Sequence, residues 1–187
     1  YTLYSFLDSE SGIHTTNFSN GITHYTTDGG NFGPRNDLTF GLNSGALSLV
    51  TDPIEGTVLQ SQGVNWGGVV QAKAFGPVSY SKVEAGITYT VTVRKKLVNV
   101  PTNTEFLPQM HLNLWCYDYT GHYIGSYGMG YTTITVADGW TNITKTYTLA
   151  NIITNTTLAN TVYVRPHTYD NFYGYVNSVG AYNVITC

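Results

Sequence analysis

The sequence predicts an all-β fold, a sandwich or barrel of short strands, on three observations. Apolar residues alternate with period 2, and no stripe at i, i+3, i+4 and i+7 persists over ten residues. Short β-branched and aromatic runs are separated by Gly, Asn, Asp and Pro clusters, at the spacing expected of sandwiches and barrels. No window rich in Glu, Lys, Ala and Leu offers a helix.

Nine strands are expected. Residues 46–51 (ALSLVT) alternate Leu47 and Leu49 with Ser48, and 57–60 (TVLQ) follow the turn signal at Asp52-Pro53. Residues 68–75 (GVVQAKAF) open on the second of two glycines. In 87–95 (ITYTVTVRK), Ile87, Tyr89, Val91 and Val93 alternate with Thr88, Thr90, Thr92 and Arg94, an ordinary inside-out pattern. Then come 109–117 (QMHLNLWCY), 131–136 (YTTITV), 141–149 (TNITKTYTL) behind Asp138-Gly139, 161–166 (TVYVRP) ending at a proline, and 181–186 (AYNVIT). The stretches 26–37, 97–108 and 119–130 read as long loops, which are common homes for binding residues on a rigid sheet. Residues 1–37 read as an irregular arm or a strand pair, and residues 1–187 as one domain without a linker.

Composition excludes several functions. The chain of 187 residues has 8 Lys and Arg against 11 Asp and Glu, a net charge of −3, which leaves no basic footprint for nucleic acid. A 42% hydrophobic share opposes disorder, and no apolar run approaches the length of a membrane span. Opening at Tyr1 without Met, the chain is expected to be a piece of a larger parent protein. Cys116 and Cys187 read as a buried free thiol plus a tail residue, or as one disulfide. Neither forms a CxxC pair, and Cys116 with His111 and His122 lacks zinc-site spacing, so no metal is assigned.

Strand phase locates a candidate site. In 109–117 one phase is Met110, Leu112, Leu114 and Cys116, and the other is His111, Asn113, Trp115 and Tyr117. In 161–167, Val162 and Val164 alternate with Thr161, Tyr163, Arg165 and His167. If the two strands share a sheet, their mixed aromatic and polar rows form one patch suited to a flat polar ligand; otherwise these aromatics cap an edge or pack under loops. Trp66, among glycines ahead of a strand, can stack on a sugar ring while Asn65 and Gln71 supply amides, or it can be a tucked core residue. Trp140 is expected to close the core.

Residues 38–186 resemble the β-sandwich carbohydrate-binding modules of families 4, 9 and 22. The resemblance rests on SGALSLV (44–50), NWGGVVQ (65–71), VEAGITYTVTVRKK (83–96), MHLNLWCYDYTG (110–121), DGWTNITKTYTL (138–149) and NTVYVRP (160–166), in that order. It implies a jelly-roll sandwich of two antiparallel sheets, like a galactose-binding domain, that binds saccharides without turning them over. It also implies that Trp66 contacts sugar and that His111, Asn113, Trp115 and Tyr117 line a cleft. Many members complete a structural calcium site with paired Asp residues in their last strand, whereas FYGYVNSVGAYNVIT (172–186) has Asn177 and no Asp pair, so no cofactor is assigned. The low-charge, Asn/Thr/Gly/Tyr-rich character is also similar to copies of this module in bacteriophage tail and baseplate proteins, including evolved distal tail proteins.

Enzymatic readings are weaker. A glycosidase needs two carboxyls about 5–10 Å apart. Only four Glu are present, Glu55 and Glu84 look like loop residues, and Asp118, which follows the candidate strand, has no partner placed by a motif. GxSxG, HExxH and Walker motifs are lacking. The sequence thus predicts a non-catalytic module that binds a polysaccharide through Trp66, Gln71, His111, Asn113, Trp115, Tyr117, Tyr163, Arg165 and His167. The expected setting is extracellular or on a virion, with a bacterial cell-surface glycan as ligand of a phage tail or baseplate adhesion protein. The alternatives are an accessory module of a secreted glycoside hydrolase and a protein-interaction domain of a viral assembly.

Overall fold

The structure is a computed structural model that describes residues 18, 25–26, 30–31, 47–66, 69–71, 74–77, 79–99, 107–172 and 183–186. Most of the expected arm over 1–37, the last strand's side chains, and Cys187 lie outside the described residues.

The described strands are β1 (Tyr25–Thr26), β2 (Leu47–Asp52), β3 (Gly56–Gln62), β4 (Val64–Trp66), β5 (Val69–Gln71), β6 (Gly76–Pro77), β7 (Ser81–Lys82), β8 (Tyr89–Asn99), β9 (Gln109–Tyr117), β10 (Tyr123–Thr133), β11 (Thr141–Tyr147), β12 (Tyr163–Phe172) and β13 (Asn183–Thr186). They build two main antiparallel sheets. One runs β10-β9-β12-β5-β4, with β7 also on β12; the other runs β11-β8-β13-β3-β2. A short β1–β6 pair completes the set. Among the described residues no helix is long and apolar enough to cross a membrane.

The sheets pack through the apolar phases read from the sequence. Leu114, Cys116 and Val164 of the first sheet meet Tyr147 of the second, with Tyr89 and Val91 alongside. Tyr89 and Tyr147, paired across β8 and β11, stack at 5.2 Å. A one-turn helix α1 (Leu149–Ile153) closes one end by burying Ile152; Thr148 caps it by accepting from Asn151 N at 3.1 Å. Phe18, Tyr25, Leu47, Leu59 and Phe75 form a second apolar cluster. Cys116 is a free buried thiol, and burial pushes its pKa up to about 11, so it packs as a small apolar residue.

Among the described residues the core contains a charged pair. Lys95 of β8 and Asp170 of β12 meet across the two sheets at 2.7 Å, both side chains fully buried. Burial lowers the Lys95 pKa, and the Asp170 charge opposes that shift.

Several strand expectations change, among them 131–136, which is the end of β10 and stops at Thr133. The stretch 119–130, read as a loop, is a tight turn at Asp118–His122 followed by β10. Two register shifts, between Tyr123 and Gly125 and between Gly128 and Tyr131, break its alternation and hide the strand from a period-2 reading. Gly125 is needed there: its φ is 147°, and an added Cβ would lie 2.9 Å from Leu158. The strand expected to end at Pro166 continues to Phe172. Thr168 exchanges both backbone hydrogen bonds with Phe75, so the backbone of Pro166, two residues earlier, points the same way, between the β7 and Phe75 pairings, where the missing N–H costs no ladder bond. The strand expected at 68–75 is split among β5, an isolated bridge at Phe75 and β6.

Trp140 also differs from expectation. It is half-buried outside the core, donating Nε1–H to Asp52 Oδ1 at 3.2 Å, with Arg94 and Lys96 each 5.7 Å from its ring. Desolvation of Asp52 opposes its ionisation, but bonds from Ile54 N, Glu55 N, Lys96 and Trp140 outweigh this and hold it at about 2.

Candidate functional site

β9 and β12 are adjacent and antiparallel. Tyr117 faces Tyr163, Trp115 faces Arg165, Asn113 faces His167, His111 faces Tyr169 and Gln109 faces Asn171. Directly opposed residues point to one face, so the two mixed rows form a single surface on the side away from the sandwich core. β10 adds Tyr123, Ser126, Gly128 and Tyr131 to these rows, and β5 adds Gln71 opposite Asn171. Trp66 pairs with Val69 in β4–β5, two strands out from β12, and its side chain lies outside the described residues.

This face has two unlike ends. At the β9 C-terminal end, Trp115 is 6% exposed, Tyr117 and Arg165 0%, and Tyr163 7%. Tyr80 packs edge-on against Tyr117 at 4.8 Å, and Asn31 Oδ1 accepts from Tyr123 N at 2.7 Å. Arg165 lies 4.8 Å from the Tyr80 ring, 4.8 Å from Trp115 and 5.5 Å from Tyr117, and its Nη2 donates to the Tyr117 hydroxyl at 2.7 Å. A buried guanidinium surrounded by three ring faces and a hydroxyl is a structural clamp.

The other end is open. His111 and Tyr169 are half-buried, and Tyr131 is 49% exposed. Rings line up along the face: Trp115 on His167 at 4.2 Å, His167 on Tyr169 at 6.3 Å, Tyr169 on His111 at 4.6 Å and His111 on Tyr131 at 5.2 Å. The first three pairs are within 18° of parallel, and the last is tilted by 46°. In such a row the inner rings cover one another's faces and show only edges. Tyr131, the terminal ring, is the most exposed of the row.

Amides surround the open end. His111 Nε2 lies 3.2 Å from Gln109 Oε1 and 3.2 Å from Asn171 Nδ2, and Thr168 Oγ1 donates to His111 O at 2.7 Å. Ser126 Oγ lies 3.0 Å from His167 Nε2. Gly128, opposite Asn113, leaves a side-chain-free notch beside that amide, since an added Cβ would sit 3.6 Å from Asn113 Oδ1. His167 Nδ1 and Asn171 Oδ1 have no hydrogen-bond partner among the described residues.

Both histidines are held neutral near pH 7. Burial, with the Arg165 charge, pushes His167 down to about 3. His111 is lowered by burial and by Lys95 and Lys145, against the opposing charge of Asp170. The open end is therefore an aromatic and amide surface of neutral donors and acceptors. No group of three His, Cys, Asp or Glu side chains that could hold a metal ion comes together among the described residues.

The structure thus brings His111, Asn113, Trp115, Tyr117, Tyr163, Arg165 and His167 onto one face, with Gln71 at its margin. Tyr131, Tyr169, Gln109 and Asn171 join them without having been singled out from the sequence. Tyr131 follows the second register shift of β10, and Tyr169 and Asn171 lie past Pro166. Continuing the odd phase of 161–167 through the proline would have reached Tyr169 and Asn171.

No protein-family model matches the chain, and no curated protein matches it. Among solved structures it is similar to the enzymatically active domain of tailspike protein 4 of bacteriophage CBA120, with TM-score 0.40 and 11% identity over 74% of this chain; the match spans 17% of that chain. It is also similar to the CBM22-1 xylan-binding domain of Paenibacillus barcinonensis Xyn10C, with TM-score 0.41 and 10% identity over 75% of each chain. A third likeness is to a CBM4 structure, with TM-score 0.37 and 10% identity over 91% of this chain and 94% of that one. These are distant likenesses, beside a chain whose own strands form two antiparallel sheets of a β-sandwich.

Proposed function

We propose that the protein is a non-catalytic saccharide-binding domain whose ligand lies on the open end of the β9–β12 face. One observation carries this reading: Tyr131 presents a half-exposed ring at the end of an aromatic row bordered by Gln109, His111, Asn113 and Gln71. Sugars are neutral and heavily hydroxylated, so they are recognised by C–H contact with aromatic rings and by uncharged donors and acceptors. Trp115 and Tyr117 support the platform from the covered end, and Trp115 has His167 and Arg165 against its indole.

The non-catalytic reading is supported by the carboxylates. Asp170 is on the core side of β12 and bound to Lys95, while Glu55 is paired with Arg94 at 2.7 Å in a hairpin turn of the other sheet. Neither accompanies a second carboxyl on the face. The finer reading, a bacterial cell-surface glycan held by a phage tail or baseplate adhesion protein outside the cell, is supported by the low-charge, Tyr- and Asn-rich composition.

The test is calorimetric titration with a panel of bacterial cell-wall and plant polysaccharides. Saturable binding to at least one is expected, weakened at least tenfold by Tyr131→Ala. Binding that survives Tyr131→Ala and Tyr169→Ala unchanged would overturn the site, and reducing-sugar release by the isolated chain would overturn the non-catalytic reading.

A further inference from the structure

One amide of the β9–β12 face has nothing to bond. Gln109, His111, Ser126, Arg165, His167 and Asn171 each hold a side-chain hydrogen bond. Asn113, in the middle of β9 and only 8% exposed, has none among the described residues. Neither of its polar atoms is sealed off without a partner, so the little surface it keeps includes the amide. A largely buried amide is costly to leave unpaired, and this one faces a bond that the described chain does not supply.

Asn113 lies at the floor of a notch. Opposite it on β10 is Gly128, where an added Cβ would meet only Asn113 Oδ1, at 3.6 Å, among the described residues. His111 and Trp115 flank Asn113 on the same face of β9, and His167 opposes it on β12 with its ring stacked on Trp115 at 4.2 Å. The notch thus has an acceptor at its floor and aromatic carbon in its walls. Tyr131 faces His111, two residues of strand from Asn113, a step of ~7 Å.

We propose that the open end of the face selects N-acetylated amino sugars, with the acetamido group seated in the Gly128 notch; this deepens the saccharide reading of that end and rests on it. A pyranose over the Tyr131 ring holds an equatorial amide nitrogen about 3 Å from its own centre by ordinary bond lengths. A hydrogen bond of about 2.9 Å then spans most of the remaining step to Asn113 Oδ1. The acetyl methyl fills the space that Gly128 leaves, against Trp115 and His167. A plain hydroxyl makes the same bond but leaves the apolar space unfilled, and an O-acetyl group brings the methyl without a donor. A free amino sugar would lose the hydration of its ammonium there and meet a second one at Lys145, whose Nζ donates to Tyr131 O at 3.2 Å.

The test is an amide-resolved NMR titration of the full chain with the methyl glycosides of N-acetylglucosamine and N-acetylgalactosamine, each beside its parent hexose. At least one N-acetyl glycoside is expected to bind at least tenfold more tightly than its parent, the lower end of the roughly 10–200-fold that a filled apolar subsite discriminates. It should also shift the Gly128 N–H and the Asn113 side-chain amide. Gly128 is not among the glycines with positive φ, so Gly128→Ala keeps the backbone. That variant should bring the N-acetyl glycoside down to its parent and leave the parent within twofold. Equal binding of the two sugars, abolished by Tyr131→Ala, would overturn the acetamido subsite and leave the face standing. A preference that survives Gly128→Ala would overturn the subsite as well, and no binding by any glycoside would overturn the face with it.

Discussion

Two ends of one sheet face, built by the same two strands, have opposite fates. Around Trp115, Tyr117, Tyr163 and Arg165 the face is covered and behaves as a second core. Around His111, Tyr169 and Tyr131 it stays half-exposed. Strand phase decides only which face a side chain takes; what packs over that face decides whether it becomes core or binding surface. At the covered end the rigidity comes from above, through Tyr80 and the Arg165 clamp. At the open end it comes from behind, through Lys95–Asp170, and from the side, through Gln109, Asn171 and Thr168.

The largest effects should come from breaking either support. Trp115→Ala removes a buried indole stacked on His167 and is expected to cost about 3–5 kcal/mol in urea unfolding. Lys95→Met leaves the Asp170 carboxylate buried without its cation and should cost a similar ~3–5 kcal/mol. The double variant Lys95→Met with Asp170→Leu should recover most of that loss, because two apolar side chains of similar volume need no compensating charge. A double variant as unstable as the single one would mean that the pair stabilises the fold outright.

Next in size is the acid response of the covered end. The folded pKa of His167 is depressed to about 3 from an ordinary 6.5, so the neutral ring is what the fold stabilises. That contribution is fully present above pH 6.5 and is lost as the pH falls from there toward 3, because the unfolded chain takes up the proton first. His167→Gln should flatten the fall of stability with acid between pH 6 and 4, measured as the urea midpoint. A slope identical to the parent's would show that His167 does not titrate with unfolding.

Tyr131→Ala carries the opposite signature. With the ring 49% exposed, its removal should change stability by no more than about 0.5 kcal/mol while saccharide affinity falls at least tenfold, ~1.4 kcal/mol. Loss of both stability and affinity would instead make the open end a continuation of the covered one.

These contrasts also mark what could be read from the sequence. The alternation of Met110, Leu112, Leu114 and Cys116 with His111, Asn113, Trp115 and Tyr117 set the two faces of β9, because period 2 is a property of the backbone itself. Tyr131 was hidden because Gly-rich β10 shifts register twice, which puts Gly128 and Tyr131 on the same face despite their odd spacing. Coverage was hidden too, since Tyr80 and Asn31 come from distant segments, Asn31 lying 92 residues from its partner Tyr123. Only half of the Lys95–Asp170 pair, 75 residues apart, left a local trace: Lys95 continues the inward row of Val91 and Val93, but Asp170 lies past Pro166, where the strand was expected to end.

The smallest expected effect lies on the outer side of the other sheet and calibrates the rest. Thr92 Oγ1 and Thr144 Oγ1 meet at 2.9 Å on exposed positions of β8 and β11, a contact scarcely longer than the 2.7 Å bond from Arg165 to the Tyr117 hydroxyl. Length does not rank these two bonds; burial does. When the exposed threonine pair is broken, water replaces the lost partner, so Thr92→Val should change stability by less than about 0.5 kcal/mol and saccharide binding not at all. When Tyr117→Phe removes the buried acceptor, no water can reach the guanidinium, and the cost should be about 1.5–3 kcal/mol. Equal costs in the two variants, read from urea midpoints at one pH, would show that the Arg165 end is hydrated and that the covered and open ends of the face differ less than their side-chain burial implies.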